Sequence, residues 1–160
     1  MISERDGDIF TQKDLTHISH QCNLFHTFGS GIAAEIRKRF PQALEADKRT
    51  AYGVPKKLGQ YSKTAYRDGS PIIVNIYSQN GISPVVRQTN YAALGMAFFM
   101  LEKELQAIQA LSGEDLVLGI PYKIGCGLGG GEWGVVKPIL HSVFEESPVH
   151  AVICKRKEDA

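Results

Sequence analysis

Short apolar runs rich in β-branched residues alternate along the chain with segments whose apolar positions recur at helical spacing. Leu15–His20 reads as a strand leading into Gln21–Cys22–Asn23. Ser30 stands where an N-cap would begin a helix over Gly31–Phe40, with Ile32, Ala33, Ile36 and Phe40 on one face. Pro41 closes that run, and Gln42–Lys48 can resume a helix beyond it. Leu58–Ala65 reads as a strand, Asp68–Gly69 as a turn, and Pro71–Ser78 as a strand buried on both faces. Thr89 is placed to cap the longest helix, about Asn90 to Leu111, whose stripe is Leu94, Phe98, Leu101, Leu105 and Ile108. Leu116–Pro121 is a further buried strand. Val135–Glu145 follows as a helix that tolerates Pro138 near its first turn. Val149–Cys154 is the last strand, and the charged Lys155–Ala160 tail is expected to fray. This alternation predicts an α/β layered fold with a mostly parallel sheet, whose ligands bind beyond the carboxyl ends of the strands.

Composition narrows the class. The 160 residues make one domain, 1–160, long enough to hold a core without metal or disulfide help. An apolar fraction of 43% with a net charge of +1 excludes disorder as the main state. The apolar runs are too short to cross a bilayer, and the charged Met1–Asp6 segment lacks a secretory signal. Three cysteines without a CxxC pair predict a reduced, cytoplasmic protein with no structural zinc. The near-neutral charge argues against a binder of duplex nucleic acid.

Glycine is the outlier, at 16 residues, and it clusters. One loop runs Asn23–Leu24–Phe25–His26–Thr27–Phe28–Gly29–Ser30–Gly31, and a second runs Gly125–Cys126–Gly127–Leu128–Gly129–Gly130–Gly131. Each follows a predicted strand and precedes a predicted helix. A helix N-terminus offers unpaired N–H groups and a partial positive charge, and glycine lets backbone approach a ligand closely. Together they make an anion cradle. Two cradles in one domain suggest a ligand with more than one phosphate, or a phosphate beside a sugar. Neither loop is a Walker A sequence, and neither is a GxGxxG after the first strand. The plain alternative for each is a tight connection.

Gly7–Asp8–Ile9, Ile18–Ser19–His20–Gln21–Cys22–Asn23 and Gly29–Ser30–Gly31–Ile32–Ala33, followed by Ile120–Pro121–Tyr122–Lys123–Ile124–Gly125–Cys126–Gly127–Leu128, resemble the macro domain family over about Gly7 to Cys154. The resemblance implies a three-layer α/β/α fold with a central mixed, mostly parallel sheet that binds ADP-ribose and its derivatives. His20–Gln21–Cys22–Asn23, Phe40–Pro41, Tyr52–Gly53 and Leu58–Gly59 are similar to the yeast-type ADP-ribose 1''-phosphate phosphatases. Ile124–Gly125–Cys126–Gly127–Leu128 with Trp133 is similar to the terminal ADP-ribose protein glycohydrolases. That second branch uses a lysine and an aspartate where this chain has Gln79 and Gly129.

The resemblance assigns roles. Asp8 accepts from the adenine amino group and Ile9 offers a backbone N–H; the alternative for Asp8 is an Asx turn. Asn23 contacts the distal ribose, or simply turns the strand end. Gly29, Ser30, Gly31 and Ile32 form the first cradle; Gly125, Gly127, Gly129 and Gly130, with the N–H groups of Cys126 and Leu128, form the second. His20 is a candidate general acid, base or nucleophile, set against a core histidine, and His26 lies nearer the ligand. Glu132 is placed to orient a water or to complement a helix dipole, and Trp133 to wall the pocket or pack. Asn75 and Tyr77 share a strand face expected to lead to the site, with Gln79 beyond.

The resulting expectation is a monomeric, metal-free and cofactor-free hydrolase acting on ADP-ribose 1''-phosphate, with Asn23, His20 and Glu132 as catalytic candidates. The alternatives are an ADP-ribosyl hydrolase acting on protein or nucleic acid, and a reader that binds ADP-ribose without turnover. A generic nucleotide-binding α/β protein is the weakest reading. No membrane partner is expected.

Overall fold

The structure, a computed structural model, describes residues 1–83 and 85–159. Its six strands are β1 (Ile2–Asp6), β2 (His17–Cys22), β3 (Tyr61–Lys63), β4 (Ile72–Tyr77), β5 (Val117–Pro121) and β6 (His150–Lys155). Its α-helices are α1 (Gly31–Arg39), α2 (Pro41–Lys48), α3 (Tyr91–Ser112) and α4 (Trp133–Phe144). The strands form one sheet in the order β1-β6-β5-β2-β4-β3. Four of the five pairings are parallel, and β3 alone runs antiparallel to its neighbour.

Two apolar layers flank the sheet. Leu94, Phe98, Leu101 and Leu105 of α3 join Val136, Leu140 and Phe144 of α4 against Val74, Ile76, Leu118 and Ile120. On the opposite face, Ile36 of α1 and Ala43 of α2 pack on Ile18, Ile73, Tyr77 and Val152. Strands covered on both faces have no solvent side, which is why β4 reads as a continuous apolar run. The result is a three-layer α/β/α fold. The strand following β2 in the parallel order is β4 on one side, and the chain then returns to add β5 on the other. The adjacent ends of β2 and β5 are therefore a topological switch point, where open α/β sheets bind ligands.

Several elements differ from expectation. β1 carries Ser3, Glu4, Arg5 and Asp6 on the sheet edge, so its sequence shows no apolar alternation. The expected strand over 58–65 shortens to Tyr61–Lys63. The cap of α3 is Asn90, whose side chain accepts from the Ala93 N–H at 3.0 Å, and Thr89 is free for another task. Pro138 lies inside α4, beyond its first turn. The chain end is tied down as far as Arg156: Lys155 pairs with Asp6 in the sheet, and Arg156 forms ion pairs with Glu35 and Asp8. Ala160 lies outside the described residues.

Candidate functional site

The loop after β2 enters α1, and the loop after β5 enters α4. Because β2 and β5 are neighbours, the two loops face each other across a cleft of about 620 Å³. Asn23, Gly29, Ser30, Gly31 and Ile32 line it from the first loop, and Gly125, Gly127, Leu128 and Gly129 from the second. Ile9 and Gln79 complete the part of the wall expected from sequence.

The glycines fall into two classes. A methyl group on Gly29, Gly31 or Gly127 would meet no heavy atom within 4 Å. These positions border the open cleft. A methyl on Gly129 would come within 2.3 Å of Thr89 Oγ1 and 2.6 Å of Gln21 Nε2, and one on Gly131 within 2.7 Å of the Gly125 carbonyl oxygen. These glycines let the loop pack on the protein itself. Gly125, at φ 75°, also needs the left-handed conformation.

The second loop is held by Thr89 and Gln21. Thr89 Oγ1 donates to the Gly125 carbonyl at 2.7 Å and accepts from Gln21 Nε2 at 2.9 Å. Gln21 Oε1 accepts from Ser78 Oγ at 2.7 Å. The N–H groups of Gln88 and Thr89 both donate to the Gly129 carbonyl, and Gly131 N–H donates to that of Gly125. With its carbonyls turned inward and satisfied, the loop leaves the N–H groups of Gly127, Leu128 and Gly129 without a backbone partner among the described residues. Across the cleft, the N–H groups of Gly31, Ile32 and Ala33 open α1, where no intrahelical acceptor exists. Ser30 caps this helix by position, but its side chain makes no cap hydrogen bond.

Asn23 is only 8% exposed, and its amide holds the loop. Its Oδ1 accepts from the Phe25 N–H at 2.8 Å, and its Nδ2 donates to Thr27 Oγ1 at 2.6 Å. Behind it, the Gly53 N–H donates to the Leu24 carbonyl, and Tyr52 sets its ring edge against Phe25 and His26.

Other expected residues lie elsewhere. His20 is fully buried and does not line the cleft. Its Nε2 meets Asn75 Oδ1 at 2.7 Å, its ring packs on Phe28, and burial pushes its pKa down to about 4. Strand alternation places it on the α2 side with Asn75 and Tyr77, away from the site. Asn75 Nδ2 donates to the Ala43 carbonyl, and Tyr77 hydroxyl donates to Asp47 Oδ1 at 2.7 Å. Lys57, 4% exposed, pairs with Asp47, 1% exposed, at 3.4 Å. This face was expected to lead to the site; it carries a buried polar network instead. Glu132 is an exposed N-cap of α4 outside the cleft wall. Trp133 packs against Tyr122 at 5.2 Å. Gly130 lies against Arg87. Cys126 turns its thiol to the Ile124 carbonyl, and burial raises its pKa.

Asp8 sits beside the cleft, not in its wall. Its Oδ1 accepts from the Phe10 N–H at 2.9 Å, the Asx turn, and also from Arg156 Nη2 at 3.3 Å. Arg156 does line the cleft, clamped by Glu35 through two hydrogen bonds of 2.7 and 2.8 Å. Sequence reading missed Arg156, Lys123, Thr89 and Gln21. Thr89 reads in sequence as a helix cap and Gln21 as part of the segment a strand leads into, and only long-range contact reveals their role. In sequence Arg156 belongs to the charged tail expected to fray.

No family model matches the chain. The macrodomain of Mycobacterium tuberculosis DarG superposes with a TM-score of 0.74 at 23% identity, covering 97% of each chain. A macrodomain protein from Streptomyces coelicolor gives 0.71 at 21% identity, over 97% of this chain and 99% of the other. Thermosipho africanus DarTG, solved in complex with ADP-ribose, gives 0.73 at 17% identity, over 99% of this chain and 42% of the other. In sequence, the uncharacterized 17.5 kDa protein of the tk-vs intergenic region of Enterobacteria phage T4 is 35% identical over 129 residues, 78% of this chain and 77% of its own. The chain belongs to the family of that phage protein, and its fold is the macrodomain fold.

Proposed function

We propose that the cleft binds ADP-ribose. The observation that carries this is the opposition of two sets of unpaired N–H groups, Gly31–Ala33 and Gly127–Gly129, across one cleft with side-chain-free positions facing it. Backbone donors at a helix start and a glycine loop suit the oxygens of a diphosphate. The Ile9–Arg156 end then takes the adenosine. Both contacts of Asp8 use Oδ1, which leaves Oδ2 for an amino group. The Asn23–Ser30 end takes the distal ribose.

A second reading is turnover of ADP-ribose 1''-phosphate. It is supported by the polar Asn23, Thr27, Ser30 and Gln79 around the distal end. With His20 and Glu132 outside the cleft wall, Asn23 is the one original catalytic candidate in reach of the ligand. Any rate gain would come from positioning and electrostatic stabilisation by loop N–H groups. The same site would accept ADP-ribose carried on a protein or nucleic acid if the distal end is open.

Calorimetric titration with ADP-ribose, then a phosphate-release assay on ADP-ribose 1''-phosphate, tests both. Saturable binding is expected. No binding would overturn the proposal, and binding without release would exclude the phosphatase reading.

A further inference from the structure

The first cleft loop is held from behind by a segment that does not reach the cleft. Asn23, Thr27, Gly29 and Ser30 line the cleft, whereas none of residues 49–54, the connection leaving α2, does. That connection is itself anchored. Thr50 Oγ1 donates to the Asp47 carbonyl at 2.6 Å, and Lys57 Nζ donates to the Ala51 carbonyl at 3.2 Å. It meets the loop at three successive residues. The Gly53 N–H donates to the Leu24 carbonyl at 2.7 Å. Tyr52 sets its ring 5.6 Å from that of Phe25 and 5.5 Å from that of His26, edge-on to both. His26 Nε2 lies 3.5 Å from Thr50 Oγ1, and because that hydroxyl donates to Asp47, the imidazole is the donor.

His26 is also the turn of the loop. It holds φ at 54°, in the left-handed region, which costs free energy in a residue with a Cβ and persists where surrounding structure imposes it. The turn lies between Asn23 and Thr27, whose side chains join at 2.6 Å and which both line the cleft. Their placement thus depends on a conformation that needs outside support, and Tyr52 touches the two residues, Phe25 and His26, that form it. Tyr52 is 66% exposed, and its hydroxyl makes no hydrogen bond among the described residues, so its ring can be removed with little loss of buried surface.

Resting on the ADP-ribose reading, we propose that Tyr52 is a specificity-determining positioning residue: by bracing Phe25 and His26 it fixes Asn23 and Thr27 for the distal ribose. The diphosphate is served by the N–H groups of Gly31–Ala33 and Gly127–Gly129, which lie outside the braced residues. ADP ends at its second phosphate and needs no distal contact. The brace therefore sets the preference for a sugar beyond the diphosphate.

The test measures dissociation constants for ADP-ribose and for ADP, and amide hydrogen exchange of residues 24–28 without ligand. The proteins are the wild type, Tyr52→Phe, Tyr52→Ala, His26→Asn and the double variant Tyr52→Ala with His26→Asn. The wild type is expected to prefer ADP-ribose. Tyr52→Ala should weaken ADP-ribose about fivefold and ADP by less than about twofold, with faster exchange at 24–28 and an unchanged melting temperature. Tyr52→Phe keeps the ring edge and should keep the preference. His26→Asn tolerates the left-handed turn but removes the ring that Tyr52 meets. It should show a similar loss, and the double variant a loss smaller than the product of the two, because the contact is shared. Equal weakening of both ligands in Tyr52→Ala, or unchanged exchange at 24–28, would overturn the brace. So would a wild type that binds ADP-ribose and ADP alike. Failure of the wild type to bind ADP-ribose would overturn the parent reading, while the exchange rates still test the brace itself.

Discussion

Thr89 Oγ1 donates to the carbonyl oxygen of Gly125 at 2.7 Å, joining two loops that are 36 residues apart in the chain. The same hydroxyl accepts a hydrogen bond from Gln21 Nε2, so one side chain couples the end of β2 to the glycine-rich loop after β5. The loop's outward N–H groups are available because its carbonyls are engaged here.

Thr89→Val is nearly isosteric and removes only the hydroxyl. It removes one of the two hydrogen bonds of the Gln21 amide, the other running to Gln79 Oε1 at 3.2 Å, and the donor of the bond to the Gly125 carbonyl, at a cost of about 1–3 kcal/mol. The expected result is a lowered denaturant midpoint with an unchanged slope, and ADP-ribose binding weakened by about tenfold as the loop loosens. An unchanged midpoint and affinity would show that the backbone bonds from Gln88 and Thr89 hold the loop unaided.

The two classes of glycine should behave oppositely. Gly127→Val points into open space, so stability should change by no more than about 0.5 kcal/mol while titration shows binding abolished. Gly129→Ala meets Thr89 and Gln21 well inside contact distance and should lose folding stability first, by about 1–3 kcal/mol. Paired denaturation and titration curves separate the two.

His17 and His20 are both held at a pKa of about 4 by burial, below the ordinary value of 6.5. The unfolded chain binds protons at these sites before the folded one does. Stability is therefore full above pH 6.5 and falls as pH drops from there to about 4, by about 1.4 kcal/mol per unit for each histidine. Denaturation midpoints across that range should show this slope. Replacing either histidine with Gln should reduce it, even where the variant is less stable at neutral pH. Because His20 lies outside the cleft, His20→Gln should alter ADP-ribose affinity far less than stability.

The buried Lys57–Asp47 pair should respond to charge balance. Lys57→Met leaves Asp47 charged and buried without its cation, at a cost of about 3–5 kcal/mol. Asp47→Asn combined with Lys57→Met removes both charges and should recover a large part of that loss, as a double-mutant cycle by chemical denaturation would show. A double variant as unstable as the single one would place the energy in the Tyr77 hydroxyl bond to Asp47.

The pattern of apolar positions determined the layered architecture of this protein. Continuous β-branched runs such as Ile72–Val74 can be satisfied only when covered on both faces, and a stripe such as Leu94–Phe98–Leu101–Leu105 only by a helix lying on a sheet. Glycine-rich connections between strand and helix marked the cleft walls, because the need for small residues at a close approach is local and leaves a trace in composition. What the sequence could not decide was which polar side chains meet. Strand alternation alone left the role of His20 open, and folding turned it toward Asn75 and away from the cleft. β1 has no apolar signature because it lies on the sheet edge, where burial is partial. Arg156 belongs to the cleft only because its partners Glu35 and Asp8 arrive from positions more than a hundred residues earlier. Local spacing encodes periodicity and turn chemistry. The pairing of Thr89 with Gly125, of Lys57 with Asp47, and of Tyr52 with Phe25 and His26 depends on distances between separate segments of the chain, which only the tertiary structure sets.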